Sequence, residues 1–443
     1  MKKEKNLAAL TTIFLLILIC RLSATENLDV DENMLFNDSN TVQNIEQISK
    51  ISAATTAENK NQLSGVKYSF SGDIGTISSF YRKNKSSSLS PVYSNGTTHS
   101  VIRGNFLLDV RLENKAKAFL NLELDYSPQN DSYLQTQKIN GVSADKFYNE
   151  FTIKEFFVDA DISKKIYLRL GKQFLQWGRC YFWNPSDLVN TERRNFNDLN
   201  KSREGVFGLK THIPFGAKKN FYSFADFSNE DKTNRLALSS KYEFVLDKTE
   251  MAFAFWIKQG HKPVFTYDIS SRIQKYDIRG ELSVSRSSQK YYFDPQSAFI
   301  YKKENIIQPR CAINIGRTFN YEIPDRITAN IEFYYNRAGY SKNVFSNQFW
   351  AYGNLYEPNN HGKYYTAFFG SFNRFLIENC NLNFNAITNL SDKSFTISPG
   401  LSYEPFFNFT LNMNLYFYGG GRNKEYTFSG NSMAAEFRSN LIF

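Results

Sequence analysis

The side chains best suited to binding or transport chemistry lie between residues 169 and 204. They combine guanidinium groups, carboxylates and an amide with a motif of glycine, tryptophan, asparagine and proline. The charged and amide members are Arg169, Gln173, Arg179, Asp187, Arg193, Arg194, Arg203 and Glu204, and the motif members are Gly171, Trp177, Gly178, Asn184 and Pro185. Clustered guanidinium groups favour anions, since rings of Arg or Lys select negative charge in pores. The alternative is that these arginines pair with nearby carboxylates and only brace the chain.

Catalytic chemistry has little support in this sequence. The four histidines (His99, His212, His261 and His361) do not show metal-ligand spacing such as His-x-x-x-His, and the cysteines do not form a CxxC pair. The chain also lacks a GxSxG nucleophile motif and a phosphate-binding loop. We therefore expect neither an enzyme nor a bound cofactor or metal.

The elements that must position the charged cluster alternate with a period of two. In residues 327–332, Ile, Ala and Ile alternate with Thr, Asn and Glu, and residues 116–126, 275–284 and 408–417 repeat the pattern. Such segments are about 10 residues long, which is the length of a tilted membrane-spanning strand. Arg103 and Arg111 fall on the polar side of their strand. We expect both to line an aqueous interior together with the 169–204 cluster.

The pattern predicts an all-β fold, a transmembrane antiparallel up-and-down barrel of about 18 strands, in which tight turns and long loops alternate. The expected strands are 66–80, 99–112, 115–127, 150–162, 165–176, 204–214, 219–228, 233–245, 250–259, 274–285, 290–301, 309–319, 327–337, 363–375, 380–389, 394–404, 408–418 and 433–443. Asp294-Pro295 interrupts strand 290–301, and a barrel of about 16 strands is the alternative. Either size leaves room for an aqueous channel.

The N-terminal region predicts export from the cytoplasm. Lys2, Lys3 and Lys5 precede an apolar run from Leu7 to Cys20, which indicates a signal peptide over residues 1–24. Residues 25–65 predict a flexible periplasmic segment, and residues 66–443 the barrel. Removal of the signal peptide, which carries four basic residues and one acidic residue, lowers the net charge from +10 to +7, and in a soluble protein this would suggest a nucleic-acid or anionic-lipid partner. Here the charges occur at strand spacing, so we expect a charged pore lining and no nucleic acid.

The last eleven residues, Met433–Phe443, also fit a barrel. Met433, Ala435 and Phe437 fall on one face of the strand, with Glu436 and Arg438 on the other. This segment resembles the C-terminal insertion signal of outer-membrane proteins, which commonly ends in Phe, as this chain does at Phe443. The resemblance implies two partners, the barrel assembly machinery and outer-membrane lipid.

A second resemblance comes from the 169–187 motif. Arg169-x-Gly171-Lys172-Gln173, then Trp177-Gly178, then Asn184-Pro185-x-Asp187, resembles Gram-negative outer-membrane barrels that include porin-like, alginate-export and capsule-assembly proteins. Lys172 stands where Arg is common. In classical porins the third long loop often folds into the lumen. By that similarity, we hypothesise that loop 177–203 narrows the lumen and places Arg179, Arg193, Arg194 and Arg203 near the constriction.

These features predict a bacterial outer-membrane channel for small hydrophilic, preferentially anionic, solutes. Many porins form homo-oligomers, which this sequence permits. Two alternatives remain open: a barrel that exports or anchors a surface polysaccharide, and a plugged barrel whose extracellular loops bind a partner.

Overall fold

The computed structural model describes residues 66–83, 97–112, 116–127, 150–189, 203–228, 236–286, 291–294, 297, 299–302, 306–320, 326–345, 356–428 and 431–443. The predicted signal peptide (1–24) and lead-in segment (25–65) lie outside these residues.

Eighteen antiparallel strands form one closed sheet, which confirms the predicted fold class and strand number. The strands of the barrel are β1 (Val66–Lys83), β2 (Thr97–Leu112), β3 (Ala116–Tyr126), β4 (Glu150–Ile162), β5 (Ile166–Gln173), β6 (Val206–Pro214), β7 (Lys219–Asp226), β8 (Ala237–Leu246), β9 (Thr249–Lys258), β10 (Val264–Ile273), β11 (Tyr276–Ser285), β14 (Gln308–Asn320), β15 (Arg326–Asn336), β16 (Tyr364–Phe372), β17 (Cys380–Asn389), β18 (Ser394–Phe406), β19 (Phe409–Gly419) and β20 (Asn431–Ile442). Strands β12 (Tyr291–Asp294) and β13 (Phe299–Lys302) form a separate hairpin.

One predicted barrel strand is wrong and one barrel strand was not predicted, so the two errors cancel in the number of strands. Within the predicted strand 290–301, Tyr291–Asp294 and Phe299–Lys302 pair with each other and not with the barrel; β12 ends at Asp294, the residue before the proline that lacks a ladder donor. Residues 264–273, which we expected within a long loop, form β10 and pair with both β9 and β11. Strand β11 therefore runs in the direction opposite to the expected one.

The two faces of the barrel differ as the alternation predicts. Phe253 is 55% exposed on the outer face of β9, whereas its neighbours Ala252 and Ala254 are buried on the inner face. Phe265, Phe333 and Phe368 are likewise exposed on the outside. An exposed aromatic and aliphatic outer face is the surface that lipid hydrocarbon requires of a barrel. No helix among the described residues is long and apolar enough to cross a membrane.

The barrel closes where β1 pairs with β20. The N–H of Phe443 donates to the carbonyl of Gly72, and the N–H of Gly72 donates to the carbonyl of Phe443, both at 2.9 Å. The Phe443 ring lies 5.9 Å from the ring of Phe70 and 6.2 Å from that of Phe106. Closure leaves no open sheet edge, which would expose unpaired backbone groups to lipid. The role of Phe443 as an insertion signal stays a prediction.

A charge placed on either face of β16 tests the contact with lipid. Phe368 points outward and Ser371 lies on the inner face of the same strand. We expect Phe368→Arg to lower the free energy of unfolding by about 2–4 kcal/mol, because an outward Arg at mid-depth must enter hydrocarbon. Ser371→Arg is the matched control and should leave it nearly unchanged. Urea titration of the protein refolded into phospholipid vesicles measures both; equal losses would contradict an outer face in contact with hydrocarbon.

Candidate functional site: a buried segment on the inner face of the barrel

Residues 174–189, which follow β5, pack against the inner face of the barrel; we call them the buried segment. Leu175 and Trp177 lie in one apolar cluster with Phe224 and Ala254, from β7 and β9. Further along, Trp183 and its neighbours lie in a second cluster with residues of β14 to β17; its members are Cys180, Phe182, Trp183, Ala312, Tyr334, Tyr365, Ala367 and Ile387. The segment has neither helical nor strand structure. Its backbone therefore needs hydrogen-bond partners outside regular secondary structure.

Two carboxylates supply those partners. Glu281 of β11 accepts the N–H groups of Arg179 and Cys180, each at 2.6 Å. Glu332 of β15 accepts those of Tyr181 at 2.8 Å, Phe182 at 3.1 Å and Trp183 at 2.7 Å. Five consecutive backbone donors thus point at two side chains. Charge-assisted bonds of this kind are about twice as strong as neutral ones.

The motif residues Asn184 and Pro185 form a tight turn at the same carboxylates. The N–H of Asp187 donates to the carbonyl of Asn184 at 3.1 Å. The side-chain amide of Asn184 donates to the carbonyl of Cys180 at 2.7 Å and to Glu281 at 3.0 Å. Pro185 is buried. The Asn-Pro pair therefore turns the backbone towards Glu281.

Both motif glycines are explained by close approach of backbone or side chain. Gly171 has a φ of +136°, and a Cβ there would collide with the carbonyl oxygen of Phe156. A Cβ on Gly178 would lie 2.5 Å from the Cβ of Asn184. Trp177, between them, is 2% exposed. These residues allow the chain to leave β5 and turn onto the inner face.

Arg179 is held by three acidic side chains and is almost completely buried. Its guanidinium group bonds Asp268, Glu250 and Glu243, the last at 2.8 Å. These partners come from β10, β9 and β8. Since Arg179 is only 5% exposed and its charge is more than balanced, it is not a free cation available to solutes.

The other residues of the 169–204 cluster that the structure describes also have partners within the protein. Arg203 bonds Asp187 at 3.1 Å and stacks over the Phe174 ring, and Lys172 pairs with Glu204. Arg169 makes a two-pronged bond to Asp159, at 2.6 and 2.9 Å. Gln173 is fully buried and donates to the carbonyl of Gly208 at 3.1 Å.

Arg103 and Arg111 lie apart from the buried segment, on the inner face of β2. Arg103 makes two bonds of 2.7 Å to Asp125, while Arg111 contacts Asp109 at 3.2 Å and remains 42% exposed. The structure therefore does not bring these two arginines to the 169–204 cluster. Arg193 and Arg194 lie outside the described residues.

A second carboxylate cluster joins three connections at the loop end of the barrel. Glu425 is fully buried and accepts bonds from the N–H of Asn359 at 2.8 Å, the hydroxyl of Tyr365 at 2.7 Å and the amide of Asn389 at 2.6 Å. Burial, with a smaller contribution from Asp392, raises the pKa of Glu425 to about 7. The indole N–H of Trp183 donates to the carbonyl of Asn359 at 2.7 Å, which links this cluster to the buried segment.

The sequence did not reveal what Glu281, Glu332 and Glu425 do. Glu281 and Glu332 occupy ordinary polar positions of alternating strands, and Glu425 lies in a loop after three glycines. The sequence indicated only that a carboxylate lies in the middle of a strand and that other inward residues, such as Ala312, are small enough to leave space beside it. Many residues that merely line the inner wall show the same pattern.

The described residues contain no group of three or more His, Cys, Asp or Glu side chains arranged to hold a metal ion. The carboxylates instead accept hydrogen bonds from backbone amides and from Arg179. These hydrogen bonds hold the buried segment against the inner face of the barrel.

Comparison with known proteins supports the fold. No protein-family model matches the chain, and no curated protein matches its sequence. OccAB3 of Acinetobacter baumannii superposes with a TM-score of 0.54 at 8% identity and covers 85% of this chain and 99% of its own. OccAB1 of the same organism gives 0.53 at 12% identity, with 85% and 96% covered. OccK8 (OprE) of Pseudomonas aeruginosa gives 0.52 at 7% identity, with 85% and 98% covered. At these identities the likeness shows the fold alone, and this fold is the closed barrel described above.

Replacement of one fastening carboxylate should release the buried segment. Glu332→Gln keeps the side-chain shape but replaces one acceptor oxygen by a donor, so at least one of three N–H groups loses its partner. We expect a cost of about 1–3 kcal/mol, seen as faster proteolysis within residues 174–189. Glu404→Gln, near the turn between β18 and β19, is the control. Equal protection of the wild type and Glu332→Gln would contradict the fastening role.

The Glu425 cluster should weaken as pH rises. The pKa of Glu425 is about 7 in the folded protein against 4.5 for the free side chain, so the folded form binds the proton more tightly. The stabilisation is therefore complete below about pH 4.5 and is lost as pH rises to about 7, by about 3 kcal/mol in total. Hydrogen exchange of residues 356–363 and 420–428 across this range measures it. Glu425→Gln should remove most of the pH dependence of hydrogen-exchange protection. If this variant kept the same pH dependence, another group would be responsible for it.

Proposed function

We propose that this chain is a bacterial outer-membrane channel for small hydrophilic solutes, in which the buried segment narrows the lumen. The observation that carries the proposal is the closed 18-stranded sheet with an apolar outer face and a polar inner face. A barrel of this size is wider than inward side chains can fill. Solutes would pass between the buried segment and the part of the wall that it leaves uncovered.

The contacts of the buried segment support its role as a fixed constriction. It is bonded to inner-face residues of β8, β9, β10, β11 and β15, while it is continuous with β5. A loop attached at so many points behaves as part of the wall on the time scale of solute passage. We propose that outer-membrane lipid surrounds the barrel, that β20 is its signal for the assembly machinery, and that residues 1–24 are removed on export. Assembly into a homo-oligomer is compatible with the same function.

We also propose a modest preference for anions, carried by Arg193 and Arg194. Arg179 and Arg203, on which the sequence argument also rested, are paired with carboxylates and buried. Their charges therefore contribute little to the field that a passing ion meets. The remaining arginines of the cluster are the two that lie outside the described residues.

Planar-bilayer recording of the purified protein tests both parts. We expect a steady current, and in a KCl gradient a reversal potential displaced towards that of chloride. Arg193→Ala with Arg194→Ala should move it towards that of potassium, because two cations are removed from the constriction. Arg374→Ala, at the turn after β16, is the control and should not.

Each alternative has its own outcome in these recordings. Absence of current in the wild type would favour the plugged barrel. Block by an acidic polysaccharide at lower concentration than by small anions would favour export. Cation selectivity, or an unchanged reversal potential in the double variant, would overturn the proposed anion preference.

A further inference from the structure

One part of the inner wall carries almost no charge. Strands β16, β17, β18 and β19 contain no Lys, Arg, His or Asp, and their only carboxylate, Glu404, lies at the turn end of β18. Strands β2 to β5, by contrast, place ion pairs such as Arg103–Asp125 and Arg169–Asp159 on the same face. The inner wall is therefore divided into a charged part and an uncharged part.

Asparagines replace ions in the uncharged part. Five of them share the inner face of β17 and β19, and we call them the amide wall: Asn381, Asn383, Asn385, Asn412 and Asn414. Between the two strands, β18 contributes only small residues to this face. Gly400 stands opposite both Asn383 and Asn414, and Ser402 stands opposite both Asn381 and Asn412. The register thus produces two rows of amides across a shallow depression.

Gly400 allows one of these amides to lie flat. A Cβ on Gly400 would collide with the side-chain oxygen of Asn414. Asn414 therefore extends across the glycine along the wall, and its NH₂ group reaches Glu436 only at 3.5 Å. Flat side chains keep the passage wide and leave their polar edges accessible from the lumen.

Much of the hydrogen-bonding capacity of the amide wall is unused by the protein. The side-chain oxygen of Asn385 is buried and has no hydrogen-bond partner in the described part of the chain, so Asn385 can offer a solute only its NH₂ group. No side-chain bond joins Asn383 or Asn412 to another described residue, and Asn381 accepts only the N–H of Arg374 at 3.1 Å. An amide offers two donors and two acceptor positions, so this surface can serve hydroxyl groups as donor and as acceptor at once.

An aromatic surface borders the amide wall. Phe369 of β16 stands opposite Asn385. The centre of the Tyr181 ring, in the buried segment, lies 4.8 Å from the centre of the Phe369 ring. Both rings remain partly exposed. The wall therefore begins where the buried segment narrows the lumen. Apolar faces beside a few polar groups are the usual composition of sites for uncharged organic ligands.

We propose that the amide wall selects uncharged polyhydroxylated solutes, the chemical class of small sugars, as they pass the constriction. This inference rests on the proposed channel function. An ionic solute beside β16–β19 would lose hydration without an unpaired opposite charge in reach, because the nearest charges, Arg438 and Glu436 of β20, are paired with each other. A neutral polyol exchanges its bonds to water for bonds to the amides, and its C–H surface contacts Phe369 and Tyr181. Asn383 and Asn385 are the specificity-determining residues.

Block of single-channel current by maltotriose, with potassium gluconate as the charged comparison, tests the inference. We expect maltotriose to interrupt the wild-type current and gluconate to do so far less. Asn383→Leu with Asn385→Leu removes two hydrogen-bonding groups at similar volume and should weaken maltotriose block about tenfold, which corresponds to about 1.4 kcal/mol. Asn320→Leu, at the turn end of β14, is the matched control and should block like the wild type.

The outcomes separate this inference from the proposed function. A wild-type channel without measurable current would overturn the proposed function. A conducting channel that maltotriose does not block, or blocks equally in the double variant, would overturn the amide wall as a selector while the channel function stands. Stronger block by gluconate than by maltotriose would do the same. A heat-modifiability gel shows whether each variant is folded.

Discussion

The bonds between five consecutive backbone amides and two glutamates are the interaction on which the inner structure depends. Residues 179–183 are inside the barrel without helix or strand, so none of their N–H groups has a partner in regular structure. Leaving such a group buried and unpaired costs about 1–3 kcal/mol. Glu281 and Glu332 satisfy all five at once. The same N–H groups replace water as hydrogen-bond donors to the two carboxylates, which lie beside an apolar cluster.

The same exchange explains the arrangement of charge around Arg179. Three acidic residues on consecutive strands would repel one another if they faced an empty inner wall. Arg179 places one cation among Asp268, Glu250 and Glu243, and its position is fixed because its own N–H is bonded to Glu281. Loss of Arg179 would leave the buried carboxylate of Asp268 without its ion-pair partner, which is more costly than the pair is stabilising. The segment and the wall therefore stabilise each other as one unit.

The sequence predicts the barrel well because its signal is repeated in every strand. Alternation requires only that each residue be apolar or polar, and eighteen strands average out local exceptions. The prediction of strands fails where the alternation of apolar and polar residues is irregular. In β10, Ser271 faces outward and Val264 inward, so Val264–Ile273 looked like a loop. The roles of Glu281 and Glu332 could not be predicted, because period two assigns a face but not a partner 95 to 151 residues away in the chain. The sequence also did not identify the partners of Arg179 on β8, β9 and β10, whereas the bond between Arg203 and Asp187 agrees with the alternative that arginines pair with nearby carboxylates.

Among the described residues, burial on the inner face of the barrel is uneven. The buried segment covers β6–β11 and β14–β17, where inner residues such as Asn314 and Glu332 are fully buried. On β2 and β3, which it does not reach, Lys117 keeps 30% of its side-chain surface and Asp125 keeps 23%. The five asparagines of the amide wall on β17 and β19 are likewise only partly buried. Among the described residues, one arc of the wall is therefore left uncovered, with ion pairs at one side and amides at the other. In the channel that we propose, a solute that follows this arc would meet both chemistries, so different strands of the same barrel would respond to its charge and to its hydroxyl groups.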